Sequence, residues 1–532
     1  MNLAGALSPT RYETRLHFID ELCTLTLDDA WKSGEAVAAW VGEPGKSVAM
    51  VLSNTSACVA VLLGAIRCGV ELVSIPSPPR AADLDWYSEF VRRSCVQRGA
   101  DRLVIDAAYL PLLPELNGIT YASYDEVLTH RGDGDADPTS FRLVQYTSGS
   151  TSDPRGVVLD QSQILANIRS IIERLQPAPG DSACSWLPLS HDMGLIGMLL
   201  SAIVGANTHT NGGDYALMTP EGFLRNPGRW LQVCSEYQST ITAAPNFGFE
   251  MALRRQINGP LDLSALRVCI TGAEPVNAAS LQRFADTFVP MGFANKAHCP
   301  AYGLAEATLA VAMSDPDDLW SGLPVDPDEL LEGKVKIDPE GMSVVGAGYA
   351  LENMEVKIDA LSEEIGEIVI RGASVLRAYS DGSLATDGDG WFRTSDLGFF
   401  RDEELYVVGR RDDVLFAAGR KVFAVDVERH VGELPGVRVG RVVALTTPAD
   451  GITVLVEADE VAADPSGSFS QLAEAVRQRV TSRTGVAPRA VGVVKRGHLP
   501  MTASGKNRRR ETQASLGHER LEILRGSIGF DQ

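Results

Sequence analysis

Apolar positions in this chain follow two rhythms. Short runs rich in β-branched residues alternate with longer stretches whose apolar residues recur every three or four positions. "SVAMVLSN" (47–54) predicts a buried strand, and "SACVAVLLGAIRCG" (56–69) a helix closed by Gly69. "VELVSIPSPP" predicts a strand broken by prolines, while "DRLVIDA" and "FRLVQYT" predict two more. "QSQILANIRSIIERL" (161–175) is an amphipathic helix, and "RVCITGAEP" a strand running into a glycine-containing loop before the helix "VNAASLQRFADTF". Strands separated by helices in this way give an α/β protein whose large N-terminal part holds parallel and mixed sheets. In open sheets of that kind ligands bind at the carboxyl ends of the strands, which is where "TSGSTSDPRG" (147–156) falls.

The texture changes twice further on. From about 315 to 348 the chain turns acidic and rich in Pro and Gly, as in an inserted or connecting segment. Past Gly409 a smaller α/β pattern begins, with strands "VGRVVALTTP", "GITVLVEAD" and "AVGVVKRG" and the helix "FSQLAEAVRQRVTSRTG". The expected boundary lies at "GRRDD" (409–413), giving domains 1–410 and 411–532. A length of 532 residues agrees with more than one domain.

Bulk charge narrows the function. With 48 basic and 69 acidic side chains the net charge is −21, which argues against gripping a nucleic-acid backbone. The eight cysteines form no CxxC pair, so no zinc site is suggested. Cys58 and Cys269, placed in apolar runs, read as buried free thiols of a reducing compartment. "MNLAGALSPTRYETR" lacks the features of a signal peptide, and "ACVAVLLGAI" and "GLIGMLLSAIVGA" are read as buried helices too short to span a bilayer. A cytoplasmic protein without a transmembrane segment is expected.

Two glycine motifs fail as nucleotide signatures. "GKS" at 45–47 has Trp40 where a Walker-type loop needs glycine, and "GAGYAL" (346–351) has Leu351 at the third glycine position of a dinucleotide fingerprint. The loop at 147–156 is different. Thr147, Ser148, Ser150, Thr151 and Ser152 offer hydroxyl donors, Gly149 permits close backbone approach, and Arg155 adds a cation. Neutral donors with one positive charge suit a polyphosphate. A surface turn has the same composition, so the loop alone leaves both readings open.

The order of the remaining motifs resembles the adenylate-forming superfamily of acyl-CoA synthetases, luciferases and nonribosomal adenylation domains. After the loop come "SWLPLSHDMGLIG" (185–197), "TGAEPV" (271–276), "AYGLAEATL" (301–309), "GWFRTSDLG" (390–398), "YVVGRRDD" (406–413) and "LPMTASGKNRRR" (499–510). The wording of "LPLSHDMGLIG", "APNFGFEMALRR" and "YGLAEATL", with the segment that follows, resembles the fatty acyl-AMP ligase branch. The resemblance implies that ATP and Mg²⁺ are used to convert a carboxylic acid, fatty or fatty-like, to its adenylate. The acyl group then passes to the phosphopantetheine thiol of an acyl carrier protein, with coenzyme A as the alternative acceptor. A degenerate homologue that only binds a carrier is the third alternative.

Roles follow from the same resemblance. Thr147, Ser148, Gly149, Ser150 and Thr151 are expected to cradle the phosphates, with Thr147 and Glu306 holding Mg²⁺. Gly272, Ala273, Glu274, Pro275, Ala301, Tyr302 and Gly303 are expected around the adenine, with Tyr302 stacking on it. Asp396 is expected to accept the ribose hydroxyls, and Arg410 to reach the ribose or a phosphate. Lys506, carried by the small domain, is expected to neutralise charge between carboxylate and α-phosphate, with His191 beside the attacking acid. Asp412 is the expected hinge. Ser152, Asp153, Arg155 and Ser190 depart from the family's usual residues, and "SVLRAYSDGSLATDGDG" is shorter and less regular than its counterpart.

Overall fold

The computed structural model describes residues 1–77, 84–113, 116–132, 134–146, 155–254, 257, 259–316, 318–360, 364–417, 420–447, 451–458, 468–501, 507–517 and 523–526. Two large sheets form its main body. The first has the strand order Thr120–Ser123, Arg102–Ile105, Ser47–Val51, Glu71–Ile75, Arg142–Tyr146, Gly156–Asp160, all parallel but the last. The second has six parallel strands at its centre: His298–Gly303, Val268–Thr271, Ile241–Ala243, Ala183–Ser185, Gly213–Leu217 and Thr14–Phe18. Antiparallel strands close both of its edges. Parallel strands buried on both faces explain why these segments read as continuous apolar runs instead of alternating ones.

Helices fill the layers between the sheets, and their ends are encoded locally. The helix Ser56–Cys68 starts where the Thr55 side chain accepts from the Cys58 amide. It stops at Gly69, whose φ of +75° returns its amide to the carbonyls of Ala65 and Ile66. A side chain at position 69 would also sit 1.8 Å from the Asp137 carbonyl oxygen. The helix Gln161–Leu175 is fixed by a reciprocal cap between Asp160 and Gln163. Its buried amides then reach across the fold. The Gln163 side chain donates to the Val375 carbonyl at 2.7 Å, and Asn167 exchanges hydrogen bonds of 2.8 and 3.0 Å with the backbone of Ala310.

Met193–Thr210 is one continuous helix in which Met193–Leu200 and Ala206–Thr210 carry i→i+5 hydrogen bonds. Its 18 residues and mean hydropathy of 1.2 meet the length and composition of a membrane span, correcting the reading of this segment as too short. It is nevertheless 72% buried inside the protein, packed on Gln161–Leu175 and the strand Ala183–Ser185. All eight cysteines are free, and every one but the half-buried Cys23 is buried.

A four-stranded antiparallel sheet follows: Met354–Asp359, Gly366–Gly372, Phe392–Arg401 and Glu404–Arg410. The acidic segment before it is more than a connector. Gly322–Val325 pairs with Met342–Val345, and Asp326 caps the helix Pro327–Leu331 while pairing with Lys336 at 3.0 Å. Val325, Leu330 and Val344 enter one core with Phe399, Tyr406, Val408 and Phe423. Composition hid this, because the three apolar side chains that matter are spread among charged neighbours.

Beyond Arg411 the chain builds a second body. The hairpin Val414–Ala417/Arg420–Phe423, the helices Ala424–Gly432 and Ser468–Thr484, and a four-stranded mixed sheet surround a core that includes Leu415, Val427, Val431, Val454, Val456, Val476 and Val480.

Candidate active site

Two loops leave neighbouring parallel strands side by side, since Thr271 lies opposite Pro300 in the register. One carries Gly272–Pro275; the other carries Leu304–Glu306 directly after Ala301–Gly303, the last residues of its strand, both at carboxyl ends of the large sheet. Gly272 is required by closeness: a Cβ there would approach the Ala301 carbonyl oxygen to 2.6 Å. Ala273 takes the left-handed conformation, with φ +70°. Asn246 locks this loop from below, donating to the Pro275 carbonyl at 2.7 Å and accepting from the Asn277 amide at 3.0 Å. At Gly303 a Cβ would lie only 1.9 Å from the Leu309 carbonyl oxygen, because the turn 304–309 folds back on it.

That turn presents Glu306. Its backbone carbonyl takes the Leu376 amide at 2.6 Å, and Thr308, at φ +73°, donates its buried hydroxyl to the Ser374 carbonyl. The Glu306 carboxylate accepts the Tyr379 hydroxyl at 3.3 Å. Burial pushes its pKa upward, and no salt bridge reaches it among the described residues. A half-buried carboxylate whose one described side-chain donor is a neutral phenol suits a hard cation that completes its shell with phosphate oxygens and water. The residues present therefore fit Mg²⁺.

Asp396 sits opposite Arg410 on paired strands, next to Ser395 at φ +62° and a bulge after Leu397. One carboxylate oxygen accepts the Tyr302 hydroxyl at 2.6 Å, and the other lies 3.3 Å from Arg410 Nε. Burial raises the Tyr302 phenol far above its ordinary value, and the Asp396 charge and hydrogen bond add to that. Tyr302 thus stays a donor. Its ring is buried among Ala307, Val311, Ile370 and Phe392.

His191 precedes the helix Met193–Thr210, with Nδ1 held 2.6 Å from the Asp192 carboxylate. Arg155 lies with its guanidinium carbon 5.5 Å from the centre of the Tyr379 ring. The strand that follows it is tied to the same segment: the Gly156 amide donates to Ser380 Oγ at 3.1 Å, and the Ser380 amide to the Gly156 carbonyl at 2.8 Å. Asp412 accepts from Arg510 at 3.2 Å, and Asp413 from Arg509 at 2.5 Å.

Thr147, Ser148, Gly149, Ser150, Thr151 and Lys506 lie outside the described residues, as do Ser152 and Asp153. Their flanks are described. Tyr146, the last residue of one strand, pairs with Gly156, the first of the antiparallel strand that follows. Met501 pairs with Asn507, whose side chain donates to the Val442 carbonyl at 2.7 Å.

Gly272, Ala273, Pro275, Ala301 and Gly303 therefore share one floor, and Tyr302, Asp396 and Arg410 one wall, joined to Glu306 through Arg410's field. The AMP-binding enzyme family matches this chain over residues 7–380. The chain belongs to that family, the adenylate-forming enzymes. Among relatives of this AMP-binding enzyme is the long-chain-fatty-acid–AMP ligase FadD32 of Mycolicibacterium smegmatis, 33% identical over 441 residues, covering 71% of this chain and 69% of the relative. A 4-hydroxyphenylalkanoate adenylyltransferase of Mycobacterium marinum is 34% identical over 411 residues, 70% of this chain and 64% of the relative. A solved structure from work on fatty acyl-adenylate ligases of E. coli and L. pneumophila superposes with a TM-score of 0.86 at 27% identity, covering 98% of both chains. The AMP-forming ligase architecture is shared from end to end.

Sequence reasoning missed Tyr379, Asn246 and Asp192. Asn246 stands inside the quoted "APNFGF" and Asp192 beside His191, so a polar residue next to a motif was the available signal. Tyr379 had none beyond its place in an irregular segment.

Proposed function

We propose that this AMP-forming ligase activates a fatty or fatty-like carboxylic acid with Mg·ATP and hands the acyl group to the phosphopantetheine thiol of an acyl carrier protein in the cytoplasm. The observation that carries the reading is the pairing of two unlike carboxylates at one site. Asp396 is already charge-matched by Arg410, while Glu306 is half-buried with no ion pair among the described residues. The first suits neutral ribose hydroxyls, and the second suits a cation arriving with the nucleotide phosphates.

In this reading Gly272–Pro275 and Ala301–Gly303 bracket the adenine, and Tyr302, anchored on Asp396, fixes the adenine side relative to the ribose. Glu306 and Thr147 hold Mg²⁺, which when bound would neutralise the triphosphate and keep it aligned. Residues 147–151 and Arg155 cradle the phosphates. His191, oriented by Asp192, holds the acid carboxylate near the α-phosphorus. Lys506 neutralises the charge that builds as a carboxylate oxygen bonds to phosphorus and pyrophosphate leaves. The part beyond Arg411 then turns about Asp412, withdrawing Lys506 and opening the adenylate to the thiol. The fatty acyl-AMP ligase relative favours an apolar acid. Eight free thiols suit a reducing cytoplasm.

Intact-mass spectrometry tests the whole reading. Purified enzyme with Mg²⁺, ATP and a panel of acids is offered coenzyme A or a phosphopantetheinylated carrier protein. An acyl shift on the carrier alone is expected. Acyl-CoA alone would reassign the acceptor, and no adenylate from any fatty, aryl or keto acid would refute the reading.

A further inference from the structure

Tyr379 touches both charged flanks of the site and belongs to neither of its strand ends. Its hydroxyl donates to the Glu306 carboxylate at 3.3 Å, and its ring lies under the Arg155 guanidinium, 5.5 Å from centroid to carbon. Its backbone is anchored independently of both. Tyr379 pairs with Val157 in an isolated antiparallel bridge, and the neighbouring Ser380 exchanges two hydrogen bonds with Gly156. The turn is closed by the Tyr379 amide on the Ser383 carbonyl at 2.9 Å and by the Asp381 carboxylate, which accepts from the Ser383 amide and hydroxyl. Leu376, three residues earlier, holds the Glu306 backbone. The segment 376–383 is therefore a brace between the strand that begins at Gly156 and the turn that carries Glu306.

We propose that Tyr379 is a positioning residue that holds the Glu306 carboxylate and the Arg155 guanidinium in one fixed register, making metal binding and phosphate binding depend on a single side chain. This rests on the reading of Glu306 as the metal-holding carboxylate. A carboxylate has two oxygens, and a phenol donating to one of them fixes which lone pairs face the metal. A guanidinium held over a ring face by cation–π attraction is restricted near that face and loses less freedom when it meets a phosphate. The hydroxyl serves the first task and the ring the second, so the two are separable by substitution.

The experiment compares Tyr379→Phe and Tyr379→Leu with wild type, using Glu306→Gln as reference. Mn²⁺ binding in the presence of a non-hydrolysable ATP analogue is read by electron paramagnetic resonance, and analogue binding without metal by calorimetry. Melting temperature checks the fold. Tyr379→Phe should weaken Mn²⁺ binding by about tenfold, the size expected for one hydrogen bond to a charged group, and leave metal-free analogue binding unchanged. Tyr379→Leu should weaken both. In pyrophosphate exchange, Tyr379→Phe should raise the Mg²⁺ concentration needed for half-maximal rate while leaving the KM of the acid unchanged. If Glu306→Gln lowers Mn²⁺ affinity and Tyr379→Phe does not, the positioning role is wrong and the reading of Glu306 stands. If Glu306→Gln leaves Mn²⁺ affinity intact, both fall together. Equal loss of metal-free binding in the Phe and Leu variants would also overturn the division of labour.

Discussion

Glu457 gives the sharpest test of how the small body is built. It is completely buried on the strand Gly451–Ala458, with Arg438 at 2.7 Å from one carboxylate oxygen and Arg441 at 4.0 Å from the same one. The other oxygen accepts the amides of Gly497 at 2.9 Å and Leu499 at 3.1 Å. Leu499 leads directly to Met501, which pairs with Asn507, the residue after Lys506. Glu457→Ala strands the Leu499 amide in the interior and leaves two arginines without their shared carboxylate. Removing one member of a buried pair costs about 3–5 kcal/mol. Both arginines keep 28% of their side-chain surface exposed and can turn to water, which puts the cost near the lower end, about 3 kcal/mol.

Composition supplies the assay. All 7 tryptophans and 12 tyrosines lie at or before residue 406, so tryptophan fluorescence reports the large body alone, whereas far-ultraviolet circular dichroism reports both. In urea, Glu457→Ala should split the transition, with part of the dichroism lost early and the fluorescence midpoint unmoved. Adenylate formation should fall under conditions where the fluorescence signal is still native. Coincident, wild-type-like transitions from both probes would refute the reasoning.

Three further outcomes are expected. Burial holds His298 at about 4, against an ordinary 6.5, with Nε2 on the Leu281 carbonyl and Phe249, Phe284 and Phe293 around the ring. The unfolded chain then takes up a proton that the folded one refuses. The stability from neutral His298 is fully present above pH 6.5 and is lost as pH falls toward 4, by about 2 kcal/mol between pH 7 and 5. The fluorescence-detected urea midpoint of wild type should drop more than that of His298→Asn over this range, and parallel lines would contradict the account. Gly303→Ala, with its Cβ 1.9 Å from a backbone oxygen, should cost about 3 kcal/mol or more by calorimetry. Gly388→Ala, which meets nothing within 4 Å, should stay within about 0.5 kcal/mol. Arg509→Ala removes bonds to Asp413 at 2.5 Å and Glu428 at 2.8 Å and should destabilise the small body by about 3 kcal/mol in dichroism-detected urea unfolding. In the same assay Arg510→Ala, whose one ion pair among the described residues is the half-exposed one with Asp412, should change it by less than about 1 kcal/mol.

Elements and strand ends were legible because their causes are local. Gly69 stops its helix by its own φ, and Asp160 and Gln163 cap theirs within four residues. The glycines at 272 and 303 were marked by their motifs, although the contacts that require them, with the oxygens of Ala301 and Leu309, show only in the fold. What could not be read depends on partners far apart in sequence. Tyr379 meets Glu306 across 73 residues, and Tyr302 meets Asp396 across 94. Hydrophobic periodicity carries no trace of such pairings, since both partners sit in short loops or at strand ends. The acidic segment misled for a related reason: Val325, Leu330 and Val344 are buried by side chains as distant as Phe423.

The two carboxylates also explain why the site is half prepared and half open. Asp396 has Tyr302 on one oxygen and Arg410 near the other, so its position is set before any ligand arrives. That wall suits a neutral group, which adds hydrogen bonds without disturbing a charge already balanced. Glu306 is half-buried, desolvation pushes its pKa upward, and its one described side-chain donor is a phenol. Its negative charge is costly until a cation comes, and Mg²⁺ bound to nucleotide phosphates is such a cation. On the proposed function, nucleoside recognition can therefore be strong in the free enzyme, whereas binding of the phosphates awaits the metal. That ordering predicts that AMP or adenosine binds with little dependence on Mg²⁺ while ATP depends on it steeply. Calorimetric titrations of both nucleotides, with and without Mg²⁺, compare the two dependences, and equal dependence would mean that Asp396 and Glu306 do not divide the site in this way.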